Sequence, residues 1–164
     1  MKKGIKYKIK TATKQEICSH LKECSDHFEP PLAQRVDIQE YSERIFCKSV
    51  TFEAWVSGTL VGLLAAYFND MENHLGYVTN VSTIKNYRNS GIGSKLMAMC
   101  IKYAKQHYFS GIKLEVAHRN VSAIRLYDKF GFVRSMDKKY EDPERSHVQG
   151  KGICYFKDLS AGEK

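Results

Sequence analysis

The chain has 164 residues, of which 43% are hydrophobic and 27% are charged, and a formal net charge of +8. This length suits one domain with a proper core and is short for two, and the composition excludes a disordered protein. The longest nearly apolar run, at residues 60–68, is too short to cross a bilayer, and no signal-peptide pattern follows the lysine-rich start. Five scattered cysteines form no metal-ligand spacing. We therefore expect one domain over residues 1–164, cytoplasmic, with reduced thiols, no metal and no membrane partner.

The first predicted element is an edge strand that also accounts for much of the positive charge. The first fourteen residues carry six lysines and no acid, and three of these lysines alternate with Ile5, Tyr7 and Ile9. A period of two is typical of a half-buried strand, and outward lysines protect a sheet edge from pairing with other chains. Because this strand explains the charge, we do not expect a nucleic acid as a partner.

Two helices and a β-hairpin follow this strand. An apolar stripe predicts a helix at residues 14–28, which two prolines end because neither can donate a backbone hydrogen bond. Asp37 is a good N-cap for the second helix. A hairpin around Ser57-Gly58 is then indicated by β-branched and aromatic residues. Its two predicted strands are residues 51–56 and residues 60–68.

The second half of the chain alternates strands and helices. The predicted elements are a strand at residues 76–84, a helix at 91–108, a strand at 112–117, a helix at 120–130, and strands at 132–136 and 153–157. Gly131 is placed to end the last helix in the left-handed conformation. Mostly neighbouring strands with one crossover helix imply an α/β fold, with a mixed, mostly antiparallel sheet of about seven strands flanked by about four helices.

The turn before the longest helix is the strongest local signal for a ligand. Gly91 and Gly93 lack a Cβ, so the backbone can curl tightly and a ligand can approach its amides closely. A helix start adds N–H groups without intrahelical partners and a partial positive charge, and Arg88 lies beside it. This pattern predicts an anion site, such as one for a pyrophosphate, or else an ordinary glycine-containing helix start. Neither the P-loop pattern nor the dinucleotide-binding glycine pattern is present.

Two motifs, in order, resemble those of one family. Arg88-x-x-Gly91-x-Gly93 is similar to the R/Q-x-x-G-x-G/A signature of the GNAT superfamily of N-acetyltransferases. Downstream, LEVAHRN at residues 114–120 and AIRLYDKFGF at residues 123–132 resemble that family's LEV…N…A..LY…GF block, most closely in bacterial acetyltransferases of the ribosomal-protein-alanine type. The resemblance implies the GNAT fold, an acetyl-CoA-binding core at about residues 76–132, and direct transfer of acetyl to a primary amine in a ternary complex.

The resemblance also implies which residues hold acetyl-CoA as a co-substrate. The backbone amides that bind its pyrophosphate are those of Asn89, Ser90, Gly91, Ile92, Gly93 and Ser94, with the charge of Arg88 beside them. Main-chain groups of Val81, Ser82 and Thr83 pair with the pantetheine arm, and the Val81 N–H polarises the thioester carbonyl. Asn120 hydrogen-bonds the cofactor arm, although it is also a good helix N-cap.

Tyr127 is the general acid that the resemblance implies, and it protonates the departing CoA thiolate. Its alternative role is that of a core tyrosine with a satisfied hydroxyl. A phenol has a pKa of about 10 and a thiol of about 8.5, so proton delivery relies on placement beside the sulfur.

The general base is open. Glu115 lies where similar proteins place a catalytic glutamate, and it alternates away from core-facing neighbours, yet a structural salt bridge is an equal alternative. Many family members carry an acid on the central strand, where this chain has Thr79. His74 and His118 are the remaining candidates, and an acceptor that arrives as a neutral amine needs no strong base.

The acceptor is open as well. The family builds its acceptor pocket from segments that fall here near residues 28–35, Tyr41, residues 67–69 and residues 140–147, which are rich in aromatic and charged side chains. These suit a small polar amine such as an amino sugar. The alternatives are a protein N-terminus or lysine, and a non-catalytic acyl-CoA-binding module. Because dimers are common in the family, the resemblance also allows a homodimer.

Overall fold

The computed structural model describes residues 4–28, 30–136 and 152–160. Within these ranges the strands are, in chain order, β1 (Lys6–Ile9), β2 (Val50–Val56), β3 (Thr59–Asp70), β4 (Leu75–Thr83), β5 (Gly111–Ala117), β6 (Val133–Ser135) and β7 (Gly152–Asp158). The helices are α1 (Lys14–Cys24), α2 (Leu32–Arg35), α3 (Ile38–Lys48), α4 (Ile92–Gln106) and α5 (Val121–Lys129), with 3₁₀ turns at Ser25–His27 and Lys85–Tyr87.

The described strands form one sheet, in the order β1-β2-β3-β4-β5-β7-β6. Every neighbouring pair is antiparallel except β4 and β5, which run parallel because α4 carries the chain back between them. This arrangement confirms the mixed, mostly antiparallel, seven-stranded sheet expected from the sequence. β1 is an edge strand, and its exposed Lys6 and Lys8 guard that edge as predicted.

Helices cover both faces of the sheet. Because side chains on both faces are therefore buried, the central strands are nearly continuous apolar runs in the sequence. Every residue of β2 is buried, and so are residues 60–67 of β3. Leu64 of β3 packs into a core with Leu96 of α4, whereas the neighbouring Leu63 packs with Ile17 of α1 on the other side. We call the two sides of the sheet the α4 face and the α1 face.

The junction between the first helices differs from expectation. α1 ends at Cys24, earlier than expected, and a 3₁₀ turn and the unpredicted four-residue α2 follow before α3. Ser25 explains the change, because its Oγ accepts a hydrogen bond from the Ala33 N–H at 2.9 Å and holds α2 against the end of α1. α3 begins after Asp37 as expected, with the Asp37 side chain accepting from the Glu40 N–H.

A buried carboxylate fixes the start of α1. Glu53 of β2 is 0% exposed. Its oxygens accept hydrogen bonds of 2.5–3.1 Å from Thr11 N and Oγ1, Ala12 N, Thr51 Oγ1 and Trp55 Nε1. These donors satisfy a charge whose burial is otherwise unfavourable. Because Thr11 and Ala12 directly precede Thr13, the N-cap of α1, the carboxylate anchors that helix to the sheet.

Three further features of the described residues bear on other kinds of function. All five cysteines are free thiols, and Cys24 and Cys100 are buried. Across residues 4–28, 30–136 and 152–160, no helix combines the length and the apolar character needed to cross a membrane. The same ranges contain no group of three or more His, Cys, Asp or Glu side chains that could hold a metal ion.

Candidate active site

The two parallel strands at the centre of the sheet separate along their length. β4 and β5 are paired only as far as Val78 and Leu114 in the described residues. β4 continues to Thr83 and β5 to Ala117, so a cleft opens between their carboxyl-terminal halves. Crevices at the carboxyl ends of parallel strands are frequent ligand sites.

A β-bulge bends β4 at the point where the cleft opens. Between Ala65 and Ala66 of β3 the pairing skips Thr79, which is thus an extra residue on β4. The hydroxyl of Tyr41 from α3 lies 2.8 Å from both the carbonyl oxygen and the Oγ1 of Thr79 and holds the bulge in place. Thr79, at the position where many GNAT proteins carry an acid, therefore belongs to the framework of the cleft.

Backbone groups of β4 face the cleft in an alternating pattern. The Ile84 N–H donates to Val61 O at 2.9 Å, which makes these two residues a hydrogen-bonded antiparallel pair. Such pairs alternate along a ladder with pairs whose N–H and C=O groups turn away from the partner strand. In this register Val81 and Thr83 turn those groups toward the cleft, whereas Ser82 turns its groups toward β3. Two of the three residues expected to pair with pantetheine thus present main-chain groups to the cleft.

The turn after β4, at residues 88–93, takes the tight shape expected from its glycines, and we call it the glycine turn. Gly91 is the N-cap of α4 with a φ of +83°, and Asn89 also has a positive φ, of +60°. The N–H groups in the first turn of a helix have no intrahelical partner, and in α4 the N-cap has no side chain to bind them. Arg88 braces the turn, because its Nε donates to Thr83 O at 2.9 Å. The result is an uncapped helix N-terminus, with its partial positive charge, beside the cleft.

A groove of about 510 Å³ runs from this turn along β4 and α5, and we call it the donor groove. All but one of the residues expected to bind the cofactor line it: Val81, Ser82, Thr83, Arg88, Asn89, Gly91, Ile92, Gly93, Ser94 and Asn120. The exception, Ser90, supports the turn from within, since its Oγ donates to Tyr87 O. Arg125 and Lys129 of α5 add positive charge to the groove wall.

A smaller cavity of about 240 Å³ lies where β4 and β5 diverge, and we call it the inner cleft. Both expected catalytic residues, Tyr127 and Glu115, line it. Val81 and Asn120 line it as well as the donor groove, so the two spaces are continuous. The fold therefore brings residues from β4, β5 and α5 together around one cleft.

Tyr127 of α5 is buried beside the inner cleft. Only 6% of the residue is exposed, and within the described ranges the hydroxyl makes no hydrogen bond. Burial raises the pKa of Tyr127 above the usual value of 10, so the hydroxyl stays protonated at neutral pH. A core tyrosine usually finds a partner for its hydroxyl. A protonated donor that lacks one, in a cleft, suits the expected general acid by its position, whereas the raised pKa makes the phenol a weaker acid.

Glu115 is half-buried and points to the α1 face. Leu114 and Val116 belong to the core on the α4 face, so Glu115 between them projects to the opposite side of the sheet. Its carboxylate therefore enters the inner cleft from the side away from the glycine turn, which suits either a base or an ion pair. The other candidate bases, His74 and His118, are exposed and line neither the inner cleft nor the donor groove.

Asn120 caps α5 and also lines the cleft. Its Oδ1 accepts a hydrogen bond from the Ala123 N–H at 3.2 Å, as expected of an N-cap. The cap uses only the carbonyl oxygen of the side chain, so the amide NH₂ group remains as a donor. One side chain can thus serve both the helix and a ligand.

A buried polar chain on the α1 face was not anticipated from the sequence. His20 of α1 is 3% exposed, with Nδ1 2.9 Å from Leu60 O and Nε2 2.9 Å from Ser82 Oγ. Asn80 Nδ2 lies 2.8 Å from the same Ser82 Oγ. Burial lowers the pKa of His20 to about 4, so the imidazole is neutral at pH 7. The available signal was a histidine beside the apolar stripe of α1 and two polar residues at alternate positions of a buried strand.

The segments expected to form the acceptor pocket are only partly at the inner cleft. Phe28 and Arg35 line it, as expected. Phe68 does not, because its ring packs against Tyr103 of α4, with the ring centroids 5.0 Å apart, on the other face of the sheet. Residues 140–147 lie outside the described residues.

Comparison with known proteins identifies the family. Residues 14–132 match the model of the Acetyltransferase (GNAT) family. Streptothricin acetyltransferase A of Bacillus subtilis is 33% identical over 61 residues, which are 37% of this chain and 35% of that protein. An N-alpha-acetyltransferase of Sulfurisphaera tokodaii is 29% identical over 119 residues, which are 68% of this chain and 70% of that protein.

The fold agrees with that family over nearly the whole chain. The crystal structure of the ribosomal-protein-S18-alanine N-acetyltransferase from Escherichia coli matches with a TM-score of 0.72 at 15% identity, over 98% of this chain and 97% of the other. The chain spans about a third to a half of the length of several curated relatives that it matches, between 35% and 51%. Since the family model covers most of its length, the chain belongs to the GNAT family of acetyltransferases.

Proposed function

We propose that this chain transfers the acetyl group of acetyl-CoA to a primary amine, which attacks the thioester directly in a ternary complex. The observation that carries the proposal is one continuous cleft that joins an uncapped helix N-terminus to the protonated hydroxyl of Tyr127, which makes no hydrogen bond to any residue that the structure describes. The first feature suits a pyrophosphate, and the second suits a departing thiolate. Acetyl-CoA, the acetyl donor of the GNAT family, has both groups.

The donor groove offers acetyl-CoA two kinds of contact. N–H groups at the start of α4 bind the pyrophosphate, and the charge of Arg88 assists them. Main-chain groups of Val81 and Thr83 pair with the pantetheine amides as an added strand would, since β5 leaves this edge of β4 open. The amide NH₂ of Asn120 donates to the same arm. These contacts direct the thioester into the inner cleft.

The inner cleft then carries out the transfer. The amine nitrogen attacks the thioester carbon, and the Val81 N–H stabilises the oxyanion that forms. Glu115 takes the proton that the nitrogen loses. As the C–S bond breaks, Tyr127 donates its proton to the sulfur, so the products are the N-acetylated amine and CoA with a free thiol. Exchange with solvent returns a proton to Tyr127 and removes one from Glu115.

A small polar amine such as an amino sugar is the acceptor that suits the inner cleft best. The cavity is compact, and Arg35 and Arg119 line it together with Glu115. The name of one relative, streptothricin acetyltransferase A, denotes a small-molecule acceptor. A protein N-terminus is the second candidate, because the relative named N-alpha-acetyltransferase matches over 68% of this chain.

Release of free thiol from acetyl-CoA tests the proposal. The purified protein is incubated with acetyl-CoA and, in separate reactions, with glucosamine, spermidine, streptothricin or a peptide with an N-terminal alanine. Turnover of any of the first three supports a small acceptor, and turnover of the peptide alone supports a protein N-terminus. Thermal stabilisation by CoA without turnover of any amine supports a non-catalytic binding module. Absence of any effect of CoA overturns the proposal.

A further inference from the structure

Two arginines line the inner cleft, and neither of them lines the donor groove. Arg35 is the last residue of α2, and Arg119 follows the end of β5. The donor groove has cations of its own, at Arg88, Arg125 and Lys129. The phosphates of CoA are therefore provided for without Arg35 and Arg119, which lie where the proposed reaction places the acceptor.

Contacts on two sides hold the guanidinium group of Arg35. Its Nε donates to Pro30 O at 3.1 Å, and its Cζ lies 5.4 Å from the centre of the Phe28 ring, which belongs to another residue of the inner cleft. Burial lowers the pKa of Arg35, but a guanidinium stays charged at neutral pH. The bond to Pro30 uses the Nε–H, and the terminal nitrogens carry four further N–H groups in the planar arrangement that binds a carboxylate or phosphate.

Arg35 reaches the inner cleft from the same face of the sheet as Glu115. Leu32, one turn earlier in α2, packs into the core on the α1 face, and Glu115 projects to that face. The glycine turn leads into α4 on the other face. We call the part of the inner cleft on the α1 face the acceptor side, because the donor groove approaches from the glycine turn.

The charges of the described residues that line the inner cleft do not favour an amine without an anionic group. Arg35 and Arg119 each carry a positive charge, and Glu115 is the one acid among those residues. Burial and the charge of Arg88 lower the pKa of His27, so its imidazole adds no charge at neutral pH. An ammonium group that enters therefore meets one attractive charge and two repulsive ones in a cavity of about 240 Å³.

We propose that the acceptor carries a carboxylate or phosphate group in addition to its amine, and that Arg35 and Arg119 bind this anionic group. The inference rests on the proposed function and narrows its acceptor, for example to the phosphate of an amino sugar. With the anion on the arginines, the amine is left to Glu115, which removes its proton. A guanidinium binds either anion through two parallel hydrogen bonds, so the arginines also orient the amine.

Matched pairs of amines test this proposal by thiol release from acetyl-CoA. Each pair presents one amine with and without an anionic group: glucosamine 6-phosphate and glucosamine, 4-aminobutyrate and butylamine, alanylalanine and its amide. We expect kcat/KM to be about 10- to 100-fold higher for the anionic member of at least one pair, because its partner lacks the charged hydrogen bonds. No preference in any pair, or turnover only of amines without an anionic group, would overturn the proposal. Absence of turnover with every amine would count against the proposed function instead.

Arg35→Gln and Arg119→Gln assign the preference to these two side chains. Glutamine stays polar but removes the charge, so we expect the ratio of the two kcat/KM values to fall about 10-fold in each variant, without a loss for the member that lacks the anion. A smaller folded fraction lowers both values equally and leaves their ratio unchanged. Arg44→Gln is the matched control, because the Arg44 guanidinium lies over the Tyr41 ring, 5.8 Å from its centre, but lines neither space. A preference that both cleft variants retain in full would overturn the proposal.

Discussion

The hydroxyl of Tyr127 can be removed without disturbing the packing of its ring. The ring centroid lies 5.8 Å from that of Phe132 and 6.3 Å from that of Tyr155, and phenylalanine keeps both contacts. The hydroxyl itself makes no hydrogen bond within the described residues. If it protonates the departing thiolate, Tyr127→Phe lowers kcat about 100-fold, the low end of general-acid effects, without changing the Kd of CoA. Thiol release and CoA titration measure the two quantities.

Tyr155→Phe is the control for that experiment. Tyr155 is buried beside Tyr127 but does not line the inner cleft, so its hydroxyl is not placed to reach the sulfur. We expect its turnover to match that of the unmodified protein. Undiminished turnover in Tyr127→Phe would instead assign Tyr127 to the core.

Gly91 allows a direct test of the anion site. A Cβ at this position meets no heavy atom within 4 Å, so an aspartate side chain fits, although a φ of +83° makes the backbone unfavourable for it. The negative charge of the aspartate would lie at the helix start where the pyrophosphate is proposed to bind, and it would repel that group. We therefore expect Gly91→Asp to weaken CoA binding about 10- to 100-fold in a calorimetric titration.

Gly58→Asp separates backbone strain from charge in that experiment. Gly58 has a φ of +79° and equally open surroundings, but it lies in the turn between β2 and β3, far along the chain from the glycine turn. This variant carries the same substitution and the same kind of strain, and we expect it to bind CoA normally. Normal CoA binding by Gly91→Asp would show that the turn does not hold the pyrophosphate.

At the scale of elements, the anchoring of α1 depends on one carboxylate. Glu53→Gln replaces one oxygen with an NH₂ group that faces N–H and O–H donors, so hydrogen bonds are lost and a donor is left without an acceptor. We expect a loss of about 2–4 kcal/mol in the free energy of unfolding in urea. Glu72→Gln, at an exposed position in the turn between β3 and β4, is the control and should cost little. Equal stability of both variants would contradict the anchoring role.

The elements that the sequence predicts well are those whose pattern lies within a single segment. The apolar runs of β2 and β3 and the N-cap Asp37 are local features, and the structure confirms the strands and the helix that they indicate. The bulge at Thr79 and the contact from Ser25 to Ala33 depend on partners in other elements. Such contacts leave no periodic signal, so α2 and the bend of β4 were not predicted.

At the scale of the molecule, the proposed site has a donor side and an acceptor side, on different faces of the sheet. The sequence predicts the donor side better than the acceptor side. The donor groove is formed largely by consecutive residues of β4, the glycine turn and α4, so a motif identifies it. The acceptor side combines Glu115 of β5, Asn80 of β4 and the α1 residue His20, which is 62 positions from its partner Ser82. Glu115 lies in a motif and was expected here, but a single sequence carries no signal that joins His20 to Ser82, so the buried polar chain on this side emerges only from the fold.

His20 also makes the stability of the whole molecule depend on pH. Burial holds its pKa at about 4 in the folded protein, against about 6.5 for an exposed histidine. Between these values the unfolded chain binds a proton that the folded protein does not, so stability is complete above pH 6.5 and falls as the pH drops toward 4. Between pH 7.5 and pH 4.5 this single group should lower the free energy of unfolding by about 2.5 kcal/mol.

The variant His20→Gln isolates this contribution, because glutamine offers a donor and an acceptor but does not titrate. Urea unfolding of both proteins at pH 7.5 and pH 4.5 measures it as the difference between their two losses of stability. The pKa of His27 is also lowered, by burial and by the charge of Arg88, but His27 is present in both proteins and its effect cancels. We expect the larger loss in the unmodified protein. Equal losses would mean that His20 takes up a proton as readily in the folded protein as in the unfolded chain, and would contradict the lowering of its pKa by burial.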